Sequence, residues 1–225
     1  MQRAEKLFTA NDRERINQAV AAAELTTSAE IVPAVAGSSG RYDRPEDIVG
    51  LWFAVAGLAG VWLALPKAAA EHGSWGHMSE TAKLGCMILA VIAGFVAGAG
   101  IGSRVGWLRR LFTPSQQLRD EVLLRARQVF FDQRVHHTAG SSGILIYVSL
   151  FERMAAVLAD QAIVEKLGQA ALDELCVRLT GQLRGQDPTA AICETVRAAG
   201  ERLAAVLPRA LDDVNELPNA LVVID

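Results

Sequence analysis

Charge is missing from two long stretches of this 225-residue chain: nineteen residues from Ile48 to Pro66 and twenty from Leu84 to Ser103 carry none. Amphipathic helices on a soluble core keep a polar stripe, and runs of this length without one are not expected there. Cysteine is also scarce. Three residues, Cys86, Cys176 and Cys193, cannot all pair internally, and none opens a CxxxxxR phosphate loop. No aspartate lies in a DxDx nucleophile pattern, and no serine lies in a G-x-S-x-G elbow. The net charge of −3 lacks the basic excess that marks nucleic-acid binders. The opening MQRAEKLFTANDRER is charged where a signal peptide would be apolar, so the N-terminus is expected to stay uncleaved.

What is present explains the 51% apolar content and the mean hydropathy of +0.23. A bilayer core about 30 Å thick needs roughly 20 apolar residues at 1.5 Å each, so spans 48–66 and 84–103 are both long enough. Two spans put both chain ends on one side. Arg41, Arg44, Arg104, Arg109 and Arg110 flank the outer ends of the pair, whereas the intervening loop offers Lys67 and Lys83 offset by Glu71 and Glu80. Basic residues gather on the cytoplasmic side, so both termini are expected there. That compartment also suits unpaired cysteines. Trp62 and Trp107 fit an interfacial aromatic belt, with Trp52 and Trp75 nearby. Gly94, Gly98 and Gly102 recur every fourth residue, a stripe that lets another helix approach closely. Ala56, Gly57 and Gly60 on the first span could meet it, or a second copy of the chain could. The same GAGIGSR segment echoes a phosphate-cradling loop but follows an apolar span rather than a strand.

The remainder alternates helices and strands. Asn11 and Glu14 suggest a capping box for a first helix with Ile16, Ala19, Val20 and Ala23 on one face. Glu30 to Ala36 is expected as a strand that Pro33 confines to an edge or keeps short. Thr113-Pro114-Ser115 opens a second helix with Leu118, Val122, Ala126, Val129 and Phe130 inward. Ile144 to Leu150 suits a strand covered on both faces, and Met154 to Ala159 its hairpin partner. A third helix is expected over Ile163 to Leu183. Asp187-Pro188 starts the last helix, which Pro208 stops. The fold class is therefore α/β, a small sheet flanked by helices and interrupted by a two-helix membrane hairpin. The parts are 1–46, the hairpin 47–103, and 104–225.

This pattern resembles the TPM domain, the family of thylakoid lumen phosphatase-like proteins and their bacterial relatives. The resemblance rests on Ala23-Glu24 followed by Thr27-Ser28-Ala29-Glu30-Ile31, on Thr138 and the Gly143 that opens ILIYVSL, on Glu152-Arg153, on Asp160, and above all on Asp213-Val214-Asn215-Glu216-Leu217-Pro218-Asn219. It covers most of the chain outside the hairpin. Ser141-Ser142 stand where family members often carry Arg-Asn, Leu172 stands where a tryptophan is common, and the hairpin is an insertion after the first strand. The resemblance implies a module attached to membrane complexes and active in their assembly, repair or regulation. Some members are credited with acid phosphatase activity, and others with calcium binding alone.

Glu24, Glu30, Asp160, Asp212 and Asp213 are the candidate ligands for Ca²⁺ or Mg²⁺, with Thr27, Thr138 or Asn215 adding neutral oxygens. No organic cofactor is implied. The bland alternative has Glu24 and Asp160 capping helices or pairing with Arg153. Phosphatase chemistry would use Glu30, Asp160 and Asp213 around one or two ions. His136-His137 and the pair His72 and His77 have poor spacing for a shared metal. The expected function is a membrane-anchored, non-catalytic interaction or regulatory module, with a metal-dependent phosphatase as the alternative.

Overall fold

The computed structural model describes residues 4–40, 42, 44–64, 79–105, 113–138, 140–185, 187–210, 212 and 214–224. Asp213 lies outside them, as do Arg41, Lys67, Glu71, His72, Trp75, His77, Trp107, Arg109 and Arg110. The chain divides into two compact units, 1–40 with 115–225, and 41–114.

In the first unit a short helix, α1 (Ala4–Leu7), precedes α2 (Ala10–Glu24). The cap of α2 is Thr9 rather than Asn11. The Thr9 hydroxyl accepts the Asp12 N–H at 3.3 Å, and the Asp12 carboxylate accepts the Thr9 N–H at 3.0 Å. Thr9 takes the extended backbone that a cap needs, whereas Asn11 is already helical. Strands β1 (Glu30–Ala36) and β2 (Gly143–Ser149) run parallel, β3 (Met154–Ala159) pairs antiparallel with β2, and β4 (Val222–Ile224) runs parallel to β1. The order is β3-β2-β1-β4.

Pro33 therefore sits in an inner strand, not at an edge, and the ladder shows why it is tolerated. Even-numbered residues of β1 turn their backbone groups to β2, as in Glu30 N–H to Ser142 O and Leu150 N–H to Ala36 O. Odd-numbered ones turn to the β4 side, where Gly37 N–H reaches Ile224 O. Pairing with β4 begins only at Ala34. Position 33 thus needs no N–H, and a residue without one fits there.

The two faces of the sheet bury different residues, as the period of two demands. Ile31, Val35, Ile144 and Ile146 meet Val20 of α2, Leu175 of α7 (Gln169–Gln182) and Val196 of α8 (Pro188–Val206). Val32, Ala34, Leu145 and Tyr147 meet Val122, Ala126 and Val129 of α5 (Ser115–Asp132). The result is a helix–sheet–helix sandwich, in which each fully buried Leu or Ile stabilises by about 1.5–3 kcal/mol. The helix expected over 163–183 is two helices, α6 (Gln161–Leu167) and α7, because Gly168 adopts φ +83° and ends the first.

The second unit contains α3 (Arg44–Ala64) and α4 (Glu80–Arg104), both long and apolar enough to cross a membrane. They pack antiparallel, and backbone meets backbone along a line of glycines. A Cβ at Gly94 would lie 2.6 Å from Phe53 O, at Gly98 2.8 Å from Val49 O, and at Gly57 3.0 Å from Ala90 O. The stripe of Gly94, Gly98 and Gly102 thus faces the chain's own α3. The oligomer contact expected through it is instead a contact within the hairpin.

Candidate functional site

Two polar sites stand at opposite ends of the parallel strands. At the amino end, α2 finishes with Glu24 and β1 begins with Glu30, and a pocket of about 160 Å³ lies between them. Thr27, Arg209, Asn215 and Asn219 complete its wall. The carboxylates are engaged with the backbone. Glu24 Oε1 accepts the Ile31 N–H at 2.9 Å, on the β4 side of β1 but ahead of the stretch that β4 pairs with. Glu30 accepts from Glu216 N–H at 3.0 Å and Leu217 N–H at 3.4 Å, fastening the C-terminal tail to the strand. Thr27 donates to Leu207 O at 2.7 Å and accepts from Ala29 N–H at 3.2 Å. The Asn215 amide donates to the Asn219 amide oxygen at 2.7 Å.

The other predicted ligands are placed elsewhere. Asp160 is the N-cap residue of α6, without a side-chain cap hydrogen bond, and its backbone N–H donates to Gly143 O at 2.9 Å. Gly143 is in register with Glu30, so Asp160 stands two strands from Glu30, roughly 10 Å at the usual strand spacing. Burial pushes the Asp160 carboxyl above its ordinary value, opposed by a Gly143 backbone hydrogen bond and by the nearby His136. Asp212 is exposed in the turn after α8 and does not line the pocket. Thr138 serves the loop before β2, accepting the Ser142 N–H at 2.9 Å. Arg153, at φ +53°, is exposed and pairs with neither Asp160 nor Glu152 among the described residues. The structure thus brings Glu24 and Glu30 together and leaves Asp160 and Asp212 apart. Among the described residues no three of His, Cys, Asp and Glu converge as a cation cage. The described carboxylates therefore do not, by themselves, fit a divalent ion.

The second site lies at the carboxyl ends of β1 and β2, where open α/β sheets usually take ligands. Here it is filled by a buried polar cluster that the sequence did not reveal. Glu152, in the β2–β3 turn, is 0% exposed. It accepts the Ser39 N–H at 2.8 Å, the Ser38 hydroxyl at 3.4 Å and, at short range, the Ser149 hydroxyl. Ser39 Oγ in turn meets Ser149 Oγ at 2.8 Å and the Tyr147 hydroxyl at 2.9 Å. Burial raises the Tyr147 phenol above its ordinary value. A buried carboxylate with several donors is a rigid brace, and this one holds the segment after β1 against the β2–β3 turn. The one sequence signal was a glutamate in a short link after an apolar strand.

No protein-family model matches the chain, and no curated protein matches it. Among solved structures it is similar to the NMR structure of the BA42 protein from the psychrophilic bacterium Bizionia argentinensis. The TM-score is 0.57 with 99% of each chain covered, and the identity is 17%. The likeness is one of fold. It accords with a small sheet flanked by helices, and at that identity it carries no activity or ligand with it.

A larger groove, about 560 Å³, runs between α2 and α8. Ala19, Ala22 and Ala23 line it together with Arg15, Cys193 and Arg197. A Cβ at Gly200 would lie 2.7 Å from Ala23 Cβ, so the two helices touch at its base.

Proposed function

We propose that the chain is a membrane-anchored α/β module, of the kind the TPM resemblance implies, that acts by interaction or regulation on membrane-associated partners. The observation that carries this is the outer surface of the α3–α4 pair. Leu63 is 81% exposed and Trp52 67%, and Leu84, Leu89, Ile92 and Val96 also face outward. Soluble proteins rarely leave apolar patches of this extent uncovered, whereas lipid is a matching solvent for them. Only a few residues of either helix are buried against protein. The hairpin thus has no protein core to serve. Arginine at its outer ends favours both termini on the cytoplasmic side.

A divalent cation is the second reading. It would bind at Glu24 and Glu30 and needs Asp213, outside the described residues, as a third carboxylate. What favours it is the pairing of the two glutamates in one pocket beside the tail that carries Asp213. A phosphatase built on Glu30 and Asp160 gains no such support, since they stand two strands apart.

The test of the anchoring and its orientation is protease protection in sealed right-side-out vesicles, with tags on both termini. Protection of both tags together with cleavage between residues 65 and 78 is the expected result. Cleavage of both tags reverses the orientation, and release of the intact chain from the vesicles overturns the anchoring.

A further inference from the structure

We propose that Cys176 closes the outer edge of the sheet at β3, taking the place of one residue of a fifth strand, and so keeps two copies of the chain from pairing through that edge.

Among the described residues β3 ends the sheet on one side, the order being β3-β2-β1-β4. Asp160 N–H donates to Gly143 O, so Met154, Ala156 and Leu158 turn their backbone groups to β2, while Ala155, Val157 and Ala159 turn theirs outward. Such an outward row invites another strand, and proteins blunt it with charge, proline, a bulge or a covering element. The sequence of β3, MAAVLA, holds no charge and no proline, and its ladder with β2 runs without a bulge. The residues that flank it, Arg153 and Asp160, carry opposite charges. Two copies laid antiparallel, edge to edge, would therefore bring each arginine beside the other copy's aspartate. The edge is self-complementary.

What blunts it is a side chain of α7. The Cys176 thiol donates to Ala155 O at 3.1 Å, and the Val157 N–H donates to the same sulfur. A residue of a parallel strand makes the same pair of bonds, giving its N–H to the carbonyl of residue i and accepting from the N–H of residue i+2. One sulfur thus fills the rung at the centre of the strand. Burial follows the same line. Ala156 and Val157 are buried, whereas Met154 and Ala155 at one end and Leu158 and Ala159 at the other are half-buried.

The test is amide hydrogen exchange of the full chain in detergent, read at Val157, with Leu158 of the β2 ladder as the control. Sedimentation over a range of protein concentrations reads association. Cys176→Ala removes the sulfur, and Cys176→Ser restores a donor and an acceptor at nearly the same size. At low concentration Val157 is expected to exchange roughly fivefold faster in C176A, the equivalent of one net hydrogen bond, with Leu158 unchanged. As the concentration rises, C176A should associate and Val157 should regain its protection. The parent chain and C176S should stay protected and unassociated throughout. Unchanged exchange at Val157 in C176A overturns the proposal, and so does faster exchange without association at any concentration. Equal acceleration at Val157 and Leu158 means that the whole strand has loosened, which overturns it too. Association of C176S to the same extent as C176A would show that the hydrogen bonds of the sulfur are not what closes the edge.

Discussion

Gly98 of α4 lies so close to Val49 of α3 that a Cβ added to it would sit 2.8 Å from the Val49 carbonyl oxygen. The neighbouring obstacle is backbone as well, the Gly50 Cα at 2.9 Å, so no side-chain rotation relieves the clash. Gly98→Ala should therefore destabilise the hairpin by about 1–3 kcal/mol, the usual range for overpacking. Gly100→Ala, with nothing within 4 Å of its added Cβ, should leave it unchanged or slightly firmer. Denaturation of the two variants in mild detergent, titrated with dodecyl sulfate, compares them directly. Equal loss in both would mean that the stripe is not the hairpin's contact line.

Glu152 predicts a second asymmetry. Removing its carboxylate in Glu152→Ala strands the buried Ser149 hydroxyl and the partly buried Ser39 N–H. Stranded buried donors are costly, and the loss should be roughly 3 kcal/mol of stability in the α/β unit. Glu152→Gln keeps one oxygen to accept from Ser39 and should lose clearly less. Thermal melting followed by circular dichroism measures both. A harmless alanine variant would show that the cluster is not a brace.

Asp160 makes stability depend on pH with a definite sign. Its folded carboxyl holds a proton more firmly than the unfolded chain does, because burial raises it above 3.8. The folded state is thus favoured below the unfolded value, and that advantage is lost as pH rises through the folded value. Asp160→Asn removes the buried charge while remaining a competent N-cap residue. It should melt higher than the parent at pH 7, and the difference should shrink as the pH falls toward 4 and below. A constant difference across that window would contradict the assignment.

Cysteine chemistry should be slow. Burial raises the thiols of Cys176 and Cys193 above their ordinary values, and Cys176 donates to Ala155 O at 3.1 Å. All three cysteines are free in the structure. Iodoacetamide at pH 7 should label Cys176 and Cys193 far more slowly in the native chain than after denaturation without reductant, as mass spectrometry would show. Rapid native labelling would mean that these thiols are open to solvent.

The parts of the fold that were legible from sequence share a strong local signal. The apolar run opened by Gly143 could only be a strand covered on both faces, and Asp187-Pro188 marks a helix start by cap and proline together. What was missed depends on partners far away in the chain. β4 is three residues long and becomes a strand only through β1. Gly168 breaks a helix whose apolar stripe continues past it, so periodicity alone concealed the break. Pro33 pointed to an edge or a short strand because the sequence does not say where pairing with β4 begins. The candidate site was half legible. Glu24 and Glu30 share a pocket, but their hydrogen bonds to Ile31, Glu216 and Leu217 depend on how the tail folds back. Glu152 gave little local sign of its role, because its partners come from residues more than a hundred positions earlier as well as from Ser149.

Everything functional here depends on α3 and α4 residing in lipid. The direct measurement is alkaline carbonate extraction of membranes from cells producing the full chain, followed by flotation. The account predicts that the protein stays with the membranes at high pH, rises with them through the gradient, and dissolves only when detergent is added. Recovery of the folded chain in the carbonate supernatant would contradict it.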